Sequence, residues 1–316
     1  MSIAALFPGQ GSQNVGMGRE FYLASAAAKR VLDDAERALP GLLTLMWEGP
    51  EEALRLTENQ QPALVAAGAA AYAAYLEAGG PEPSFAAGHS LGEYTAHVAA
   101  GSLEIGDAVA LVRKRGQYMQ AAVPAGEGAM AAVLKLGADE IASTLKRLDD
   151  GEGVVEVANL NAPGQTVISG SAQAVASASA ALKALGGRVI PLKVSAPFHC
   201  SLMAPAAQRL RRDLATVRFA RPSFGIVCNV TAELLPDEGA ALSTLTEQVT
   251  APVRWVECVE RLAALGATRF LEFGSGQVLT GLLGRILSEA DAHAITDTAS
   301  LAAALQTPVS EREGTT

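Results

Sequence analysis

The sequence has few of the features that mark secreted, membrane-bound or metal-dependent proteins. Its three cysteines, Cys200, Cys228 and Cys258, are widely spaced and form no CxxC pair, so we predict free thiols in a reducing cytoplasm. No apolar run reaches the roughly 18 residues that a membrane-spanning helix needs. The first residues carry no positive charge ahead of their apolar stretch, so we expect no signal peptide.

Further absences exclude classes of cofactor and partner. The chain has no HExxH motif, no Cys/His cluster and no EF-hand loop, so we predict neither a metal nor another bound cofactor. Its net charge of -9 argues against nucleic acid, because binding the phosphate backbone requires a basic surface. We therefore expect neither nucleic acid nor a membrane among its partners.

The pattern that remains is typical of an α/β fold. Short apolar stretches that end at glycine or proline alternate with longer helical patterns. The predicted strands are Ile3–Phe7, Phe85–Ala87, Ala129–Leu134, Val154–Ala158, Gln165–Ser169, Val189–Val194, Ser223–Val230 and Thr268–Phe273. The predicted helices are Leu103–Ala121, Asp139–Leu148, Ala172–Leu185, Pro205–Val217, Thr244–Thr250 and Val253–Leu265.

One segment is predicted to form an inserted subdomain. Between about Gly126 and Val194 the elements follow the order strand, helix, strand, strand, helix, strand, which is the ferredoxin-like order. We predict a main subdomain of residues 1–125 and 195–305, an insert of residues 126–194, and a disordered tail of residues 306–316. A cleft between the two subdomains is the natural place for a site.

The strongest chemical motif is Gly88-His89-Ser90-Leu91-Gly92, between a predicted strand and a predicted helix. In that context G-x-S-x-G predicts a nucleophile elbow, a sharp turn that exposes the serine hydroxyl. The N–H of Leu91, at the start of the helix, would then face the oxyanion of a tetrahedral intermediate. The alternative is an ordinary turn bounded by two glycines.

A serine nucleophile needs a base, and the chain has four histidines. His199 lies in a loop shaped by Pro197, directly after a predicted strand, so we predict it as the general base, with a structural histidine as the alternative. His89 is expected to support the elbow, His97 to pack inside a helix, and His293 to be solvated.

No acid is well placed to complete a triad. The acidic residues between Ser90 and His199 include Asp107, Asp139, Asp149 and Asp150, and none follows a strand convincingly. We therefore predict a Ser–His dyad in which a main-chain carbonyl orients the imidazole.

Two further segments are candidates for substrate contacts. The loop Phe7–Gln13 fails as a dinucleotide fingerprint, because Asn14 stands where the third glycine belongs. The N–H of Gln10 could be a second oxyanion donor, or the loop could be an ordinary turn. In the basic run that ends at Arg115, a single arginine facing the cleft would bind a free carboxylate through two parallel N–H···O bonds.

Taken together, the motifs resemble malonyl-CoA:acyl carrier protein transacylases and, more distantly, the acyltransferase domains of polyketide synthases. The resemblance covers residues 6 to about 287, in family order. The segments that carry it are Phe7–Gln13, Gly88–Tyr94, Arg115-Gly116 with Met119-Gln120, Asn161–Gln165, Pro197–His199 and Gly274–Thr280.

The resemblance implies a fold and a set of roles. The fold would be an α/β-hydrolase-like large subdomain with an inserted ferredoxin-like small one. Ser90 would be the acylated nucleophile and His199 its base. The implied supporting roles are carboxylate binding by Arg115, an oxyanion hole from the N–H groups of Gln10 and Leu91, and orientation of the histidine by the main-chain carbonyl of Gln248.

The implied activity is that of an [acyl-carrier-protein] S-malonyltransferase. It would move a malonyl group from malonyl-CoA to the phosphopantetheine thiol of acyl carrier protein by a ping-pong mechanism, in fatty acid biosynthesis. We expect a cytoplasmic monomer. The alternatives are a trans-acting polyketide acyltransferase and an acyl hydrolase that acts on carrier-bound groups, although Arg115 argues against a hydrolase that prefers acetyl.

Overall fold

Two separate β-sheets organise the chain. The computed structural model describes residues 2–148, 151, 153–194 and 196–306. In chain order the strands are β1 (Ser2–Phe7), β2 (Phe85–Gly88), β3 (Gly128–Leu134), β4 (Val155–Ala162), β5 (Gln165–Ser171), β6 (Arg188–Pro191), β7 (Gly225–Val227), β8 (Ala267–Phe273) and β9 (Asp291–Ile295).

The helices connect and cover these strands. They are α1 (Arg19–Ala24), α2 (Ala26–Ala38), α3 (Leu42–Glu48), α4 (Glu51–Leu54), α5 (Thr57–Glu77), α6 (Gly92–Ala99), α7 (Ile105–Ala121), α8 (Ala138–Arg147), α9 (Ala172–Ala184), α10 (Ala204–Leu214), α11 (Ala240–Glu247), α12 (Trp255–Ala264), α13 (Val278–Ile286) and α14 (Thr298–Gln306). A short 3-10 helix, Ser201–Met203, precedes α10.

The large sheet is parallel throughout, with the strand order β7-β2-β1-β8-β9. Successive side chains of a strand point to opposite faces, so Ile3, Ala5 and Phe7 of β1 enter one hydrophobic cluster while Ala4 and Leu6 enter another. A strand covered on both faces must be apolar at nearly every position, which explains the unbroken apolar run of β1.

Helices cover both faces of the large sheet. On one face α5 is buried on nearly every side, because alanine and glycine allow α2, α6 and α7 to pack closely around it. On the other face Trp255, Val259 and Leu262 of α12 pack with α13 against the sheet. This parallel core places the carboxyl ends of β7, β2 and β1 side by side at one edge.

The small sheet is antiparallel, with the order β4-β5-β3-β6, and α8 and α9 pack against it. Its separate core includes Val133, Ile141, Ile168 and Leu182. The chain enters it after β2 and leaves it before β7, so the small sheet is an insert in the large one. The predicted fold class, a hydrolase-like α/β subdomain with a ferredoxin-like insert, is confirmed.

The two sheets are joined through β4. Asn159 of β4 forms a bridge with Val253, the N–H of Leu160 donates to the carbonyl of Val253, and the N–H of Val253 donates to the carbonyl of Ala158, both at 2.9 Å. Main-chain bonds of this kind fix the insert against the segment before α12. The subdomain boundaries at residues 125/126 and 194/195 remain predictions.

Strands β7 and β9 differ from the prediction. β7 is shorter than Ser223–Val230, because the chain leaves the sheet at Cys228, whose N–H donates to the carbonyl of Glu233. β9 was not predicted, because Asp291 and His293 give it a polar pattern. His293, which the sequence predicts to be solvated, is half-buried on this edge strand, with Nε2 2.6 Å from Asp291 Oδ1.

The structure also bears on the predicted free cysteines and on the first residue of the predicted disordered tail. Cys200, Cys228 and Cys258 are free and buried, as the sequence predicts. Of the predicted disordered tail, only Gln306 is described, at the end of α14; the remainder lies outside the described residues.

An aromatic cluster beside β1 allows a test of this packing. Phe273 is fully buried, with its ring 5.9 Å from that of Phe7 and 5.2 Å from that of Tyr75. We expect Phe273→Ala to lower the free energy of unfolding by about 3–5 kcal/mol, because it leaves a cavity. Leu23→Ala, at a side chain that is 75% exposed, should change it by less than about 0.5 kcal/mol. Equal urea denaturation midpoints for the two variants would contradict this assignment of the core.

Candidate active site

Ser90 lies in the turn between β2 and α6, and its backbone is left-handed, with φ 52°. A residue with a Cβ rarely adopts this conformation, so the surrounding structure must hold it. The strain has a geometric result. It turns the chain sharply at the carboxyl edge of the sheet and places the serine hydroxyl beside the loop that follows the small subdomain.

The two glycines of the G-x-S-x-G motif are required by close main-chain contacts. A Cβ on Gly88 would lie 1.9 Å from the carbonyl carbon of Gly92, and a Cβ on Gly92 would lie 2.0 Å from the carbonyl oxygen of Phe7. A side chain at Gly92 would push the turn away from β1, and a side chain at Gly88 would push the start of α6 away from β2. Both positions of the motif must therefore be glycine for steric reasons. An ordinary turn, the alternative interpretation, would not require glycine at both.

Asn229 holds the turn from the neighbouring strand. It follows β7, and its Oδ1 accepts the N–H of Ser90 at 2.6 Å while its Nδ2 donates to the carbonyl of Gly88 at 2.7 Å. Gly88 and Ser90, on either side of His89, are thereby bound to one buried amide. Sequence reasoning missed this residue because it extended the strand to Val230; an asparagine at the carboxyl end of a strand next to β2 was the available signal.

The structure brings Ser90 and His199 together. Ser90 Oγ is 2.7 Å from His199 Nε2, and His199 Nδ1 is 2.9 Å from the main-chain oxygen of Gln248. A carbonyl only accepts, so Nδ1 carries the hydrogen and Nε2 of the neutral ring is free to accept the serine proton. Within the described residues, no carboxylate bonds to this ring; Asp149 and Asp150 lie outside them.

The electrostatic surroundings keep His199 neutral. Burial of the ring is the main cause, and the nearby Arg115 guanidinium the second, of a pKa lowered to about 3. The imidazole can therefore accept a proton across the whole neutral range. It is also a weak base as long as the positive charge beside it is not balanced.

Arg115 lies against the serine and is only 1% exposed. Its Nη2 is 2.9 Å from Ser90 Oγ and 3.1 Å from Gln248 Oε1, and its Nη1 is 2.9 Å from Gln61 Oε1. These three acceptors carry no formal charge, so the buried cation has hydrogen bonds but no strong counter-ion among them. Such a group favours an anionic ligand that can approach it beside Ser90.

The predicted oxyanion donors lie on two adjacent turns. Gln10 follows β1, and its side-chain amide donates to Gln60 Oε1 at 2.7 Å. Leu91 begins the turn into α6. Within the described part of the chain, neither the main-chain N–H of Gln10 nor that of Leu91 has a hydrogen-bond partner. Both groups are thus available to a ligand.

A cleft of about 1200 Å³ opens at this point between the two subdomains. Its walls come from both, which accords with the predicted position of the site. From the large subdomain it is lined by Gln10, His89, Ser90, Gln117 and His199, and from the small sheet and the loop after it by Met130, Asn159, Leu192, Lys193, Val194 and Phe198.

The remaining histidines have partners of their own. His89 Nε2 is 2.8 Å from Asn161 Oδ1, so this residue links the turn to the end of β4. His97 is fully buried in α6, with Nδ1 3.1 Å from Ser102 Oγ, and its ring packs against Phe219. Neither ring bonds to Ser90 Oγ, which leaves His199 as the base that the geometry supplies.

The described residues contain neither a candidate metal cluster nor a candidate membrane-spanning helix. Among the described residues, no group of three or more His, Cys, Asp or Glu side chains could hold a metal ion. None of the helices in the described ranges combines the length and the apolar character that a bilayer crossing needs.

Comparisons with known proteins agree on one family. The family model for the acyl transferase domain matches residues 5–302. The malonyl CoA-acyl carrier protein transacylase of Bacillus subtilis (strain 168) is 44% identical over 313 residues, covering 98% of both chains. That of Escherichia coli (strain K12) is 43% identical over 305 residues, covering 96% of this chain and 98% of the other.

Solved structures show the same relationship. An acyl-carrier-protein S-malonyltransferase from Burkholderia pseudomallei 1710b matches with a TM-score of 0.93 and 44% identity, over 97% of this chain and 100% of the other. A type II PKS acyl-carrier protein in complex with its malonyl-transacylase also matches, with a TM-score of 0.93 and 42% identity over 97% and 99% of the two chains.

The space at Gly92 gives a direct test of the turn. We expect Gly92→Ala to lower the labelling rate of Ser90 by a serine-directed sulfonyl fluoride about tenfold or more, because a new Cβ forces the turn away from β1. Gly281→Ala is the matched control, since nothing lies within 4 Å of its added Cβ and it lies within α13. It should keep the labelling rate and raise stability by about 0.5–1 kcal/mol. Equal labelling of both variants, followed by intact mass, would refute the steric argument.

Proposed function

Because this chain belongs to the acyl transferase domain family and, within it, to the malonyl CoA-acyl carrier protein transacylases, we propose that it moves a malonyl group from malonyl-CoA to the phosphopantetheine thiol of an acyl carrier protein. One observation carries the proposal. The Ser90 hydroxyl oxygen lies 2.7 Å from Nε2 of the neutral His199 and 2.9 Å from Nη2 of the buried Arg115. The proposed nucleophile is therefore within hydrogen-bond distance of both its base and the group that would bind a carboxylate.

In the first half-reaction Ser90 Oγ attacks the thioester carbonyl as His199 Nε2 takes the hydroxyl proton. The N–H groups of Gln10 and Leu91 are the donors for the oxyanion that forms. The C–S bond then breaks, the coenzyme A sulfur receives the proton from His199, and the malonyl group remains on Ser90 as an ester. The main-chain oxygen of Gln248 keeps the ring in the required tautomer throughout.

Arg115 gives the reaction its acyl preference. The free carboxylate of malonyl would replace neutral acceptors of the guanidinium with a charged, bidentate one. It would also balance the positive charge that lowers the pKa of His199, which makes the base stronger when the correct acyl group is bound. An acetyl group supplies neither effect, so it should be a poor substrate.

In the second half-reaction the carrier thiol takes the place of coenzyme A. His199 takes the thiol proton, the sulfur attacks the malonyl ester, and Ser90 leaves with the proton returned to its oxygen. The relative whose structure contains an acyl-carrier protein supports a protein partner for this step. The reaction needs no cofactor, and a single chain supplies every group, which supports a monomer.

The names of the relatives support this assignment over its alternatives. Those compared are transacylases or S-malonyltransferases, and none carries the name of a hydrolase. We infer that the product serves fatty acid synthesis in the cytoplasm, where three free cysteines stay reduced. A trans-acting polyketide enzyme would share this chemistry and differ in its carrier, and a hydrolase would release free malonate.

The covalent step can be observed directly. Mixing the protein with malonyl-CoA alone should give a malonyl adduct on Ser90, stable enough for intact-mass and peptide analysis, and added holo acyl carrier protein should remove it as malonyl-carrier. Ser90→Ala should give no adduct. Rapid appearance of free malonate without a carrier would instead support a hydrolase.

The carboxylate role of Arg115 predicts a change of preference. Arg115→Ala should cost malonyl transfer about 2–5 kcal/mol, roughly 30-fold to 5,000-fold in kcat/KM, because a buried charge-assisted contact is lost. Acetyl transfer should fall far less, so the malonyl/acetyl ratio, which is insensitive to the folded fraction, is the quantity to measure. Arg113→Ala is the control, since Arg113 on the same helix bonds to Asn59. Equal losses with both acyl groups would contradict the role.

A further inference from the structure

A buried carboxyl that the proposed reaction does not use lies behind the Ser90 turn. Glu93 is in the first turn of α6 and is 0% exposed. Its Oε2 accepts the main-chain N–H of Asn229 at 3.0 Å and the side-chain Nε2 of Gln248 at 2.7 Å. Burying a carboxyl costs free energy unless its contacts compensate. The two bonds to Asn229 and Gln248 are the contacts that compensate here, so the role of these two partners is the question.

Each of the two partners holds one half of the reactive pair. Asn229 binds the N–H of Ser90 and the carbonyl of Gly88, which fixes the left-handed turn. Gln248 binds His199 Nδ1 with its main-chain oxygen, and its Nε2 also donates to the main-chain oxygen of Ser90 at 3.0 Å. A single carboxyl oxygen therefore joins the support of the nucleophile to the support of the base.

The amide of Gln248 depends on this contact for its orientation. With Nε2 turned to Glu93 and Ser90, its Oε1 is left to accept from Arg115 Nη2 at 3.1 Å. A rotated amide would direct Nε2 at the guanidinium, where two donors face each other. An acceptor at Glu93 thus also determines which face Gln248 presents to Arg115.

We propose that Glu93 is a positioning residue: its buried carboxyl fixes Asn229 and Gln248, and through them the backbone of Ser90 and the ring of His199. The inference rests on the proposed function, since it takes Ser90 and His199 as the reacting groups. Glu93 bonds to none of the reacting side-chain atoms, so it should act on the rate of the serine reaction through Asn229 and Gln248.

The surroundings of Glu93 make its ionisation sensitive to pH. The titratable groups that face it are Arg115 on α7, Tyr94 on its own helix, Cys228 after β7 and Cys258 on α12. Burial raises its pKa to about 7, against the lowering effect of the bonds from Asn229 and Gln248. Both protonation states are therefore populated near neutral pH.

Ionisation of Glu93 should have opposite effects on the stability of the fold and on the positioning of Ser90 and His199. Since the pKa in the fold lies above its ordinary value, the contribution of Glu93 to stability is present at low pH and is lost as the pH rises through about 7. The ionised carboxylate is, however, the stronger acceptor for both N–H groups. The reactive pair should thus be held more firmly above pH 7, where the fold is slightly less stable.

The test measures Ser90 labelling by a sulfonyl fluoride, with intact mass as the readout, between pH 6 and 8. Glu93→Gln keeps one carbonyl oxygen for both donors and removes the ionisation; Glu93→Ala removes the acceptor. In the wild type the labelling rate should rise through about pH 7; in Glu93→Gln it should be flat and within a few-fold. In Glu93→Ala it should fall about tenfold or more, with kcat for malonyl transfer reduced by a larger factor than KM changes.

Glu272→Ala is the matched control for the loss of a buried carboxyl. Glu272 is 1% exposed on β8 and holds the first turn of α13 through bonds from Leu279 and Thr280, away from the cleft. It should lower the melting temperature and keep the labelling rate. Wild-type labelling of folded Glu93→Ala, or an equal loss in Glu272→Ala, would overturn the inference.

Failure of the Glu93 inference can be distinguished from failure of the proposed function. If Glu93→Ala does not fold, the pH profile of Glu93→Gln decides, and a wild-type rise through pH 7 in that variant overturns the inference. A wild type that is not labelled at Ser90 at all would instead contradict the proposed function, which separates the two failures.

Discussion

The left-handed backbone at Ser90 is the constraint on which the rest of the site depends. A serine does not hold φ 52° unaided, so three features must converge on it: a glycine on either side that leaves room for β1 and for the start of α6, an amide from the end of β7, and the first turn of α6. Parallel strands in the order β7-β2-β1 bring these groups to one edge. The short β7 is part of the same requirement, because a longer strand would keep Asn229 in the sheet.

The second constraint is a buried cation whose direct hydrogen-bond acceptors carry no formal charge. Arg115 is buried beside a neutral histidine and a serine hydroxyl, and its charge lowers the pKa of the base that the reaction needs. A ligand carboxylate would correct this imbalance. In the proposed reaction, selectivity and activation then have one physical cause, since the group that would recognise malonyl is also the group that lowers the pKa of His199 in its absence.

The sequence predicted what is local and missed what is distant. The G-x-S-x-G turn, the strands around it and His199 after a strand are features of short segments. The N–H of Gln10 was one of two local interpretations of its loop, and the family resemblance favoured it and identified Gln248 as the source of the carbonyl. Asn229 and Glu93 were missed because their contacts join residues 139 and 136 positions apart. β9 was missed because its sequence is polar; in the structure a half-buried ion pair with Arg269 accommodates Asp291 on this strand.

The division of the chain into two sheets separates catalytic geometry from the shape of the cleft. His199 follows the last strand of the insert, yet its ring is held by Gln248, which precedes α12 of the large subdomain. The main-chain bonds of Val253 to β4 fix the insert only a few residues beyond that carbonyl. The Ser–His distance is therefore determined on the side of the large sheet. Met130, Leu192 and Phe198 line the cleft without bonding to Ser90 Oγ or to the His199 ring, so under the proposed function a change in their size should alter substrate choice before it alters the chemistry.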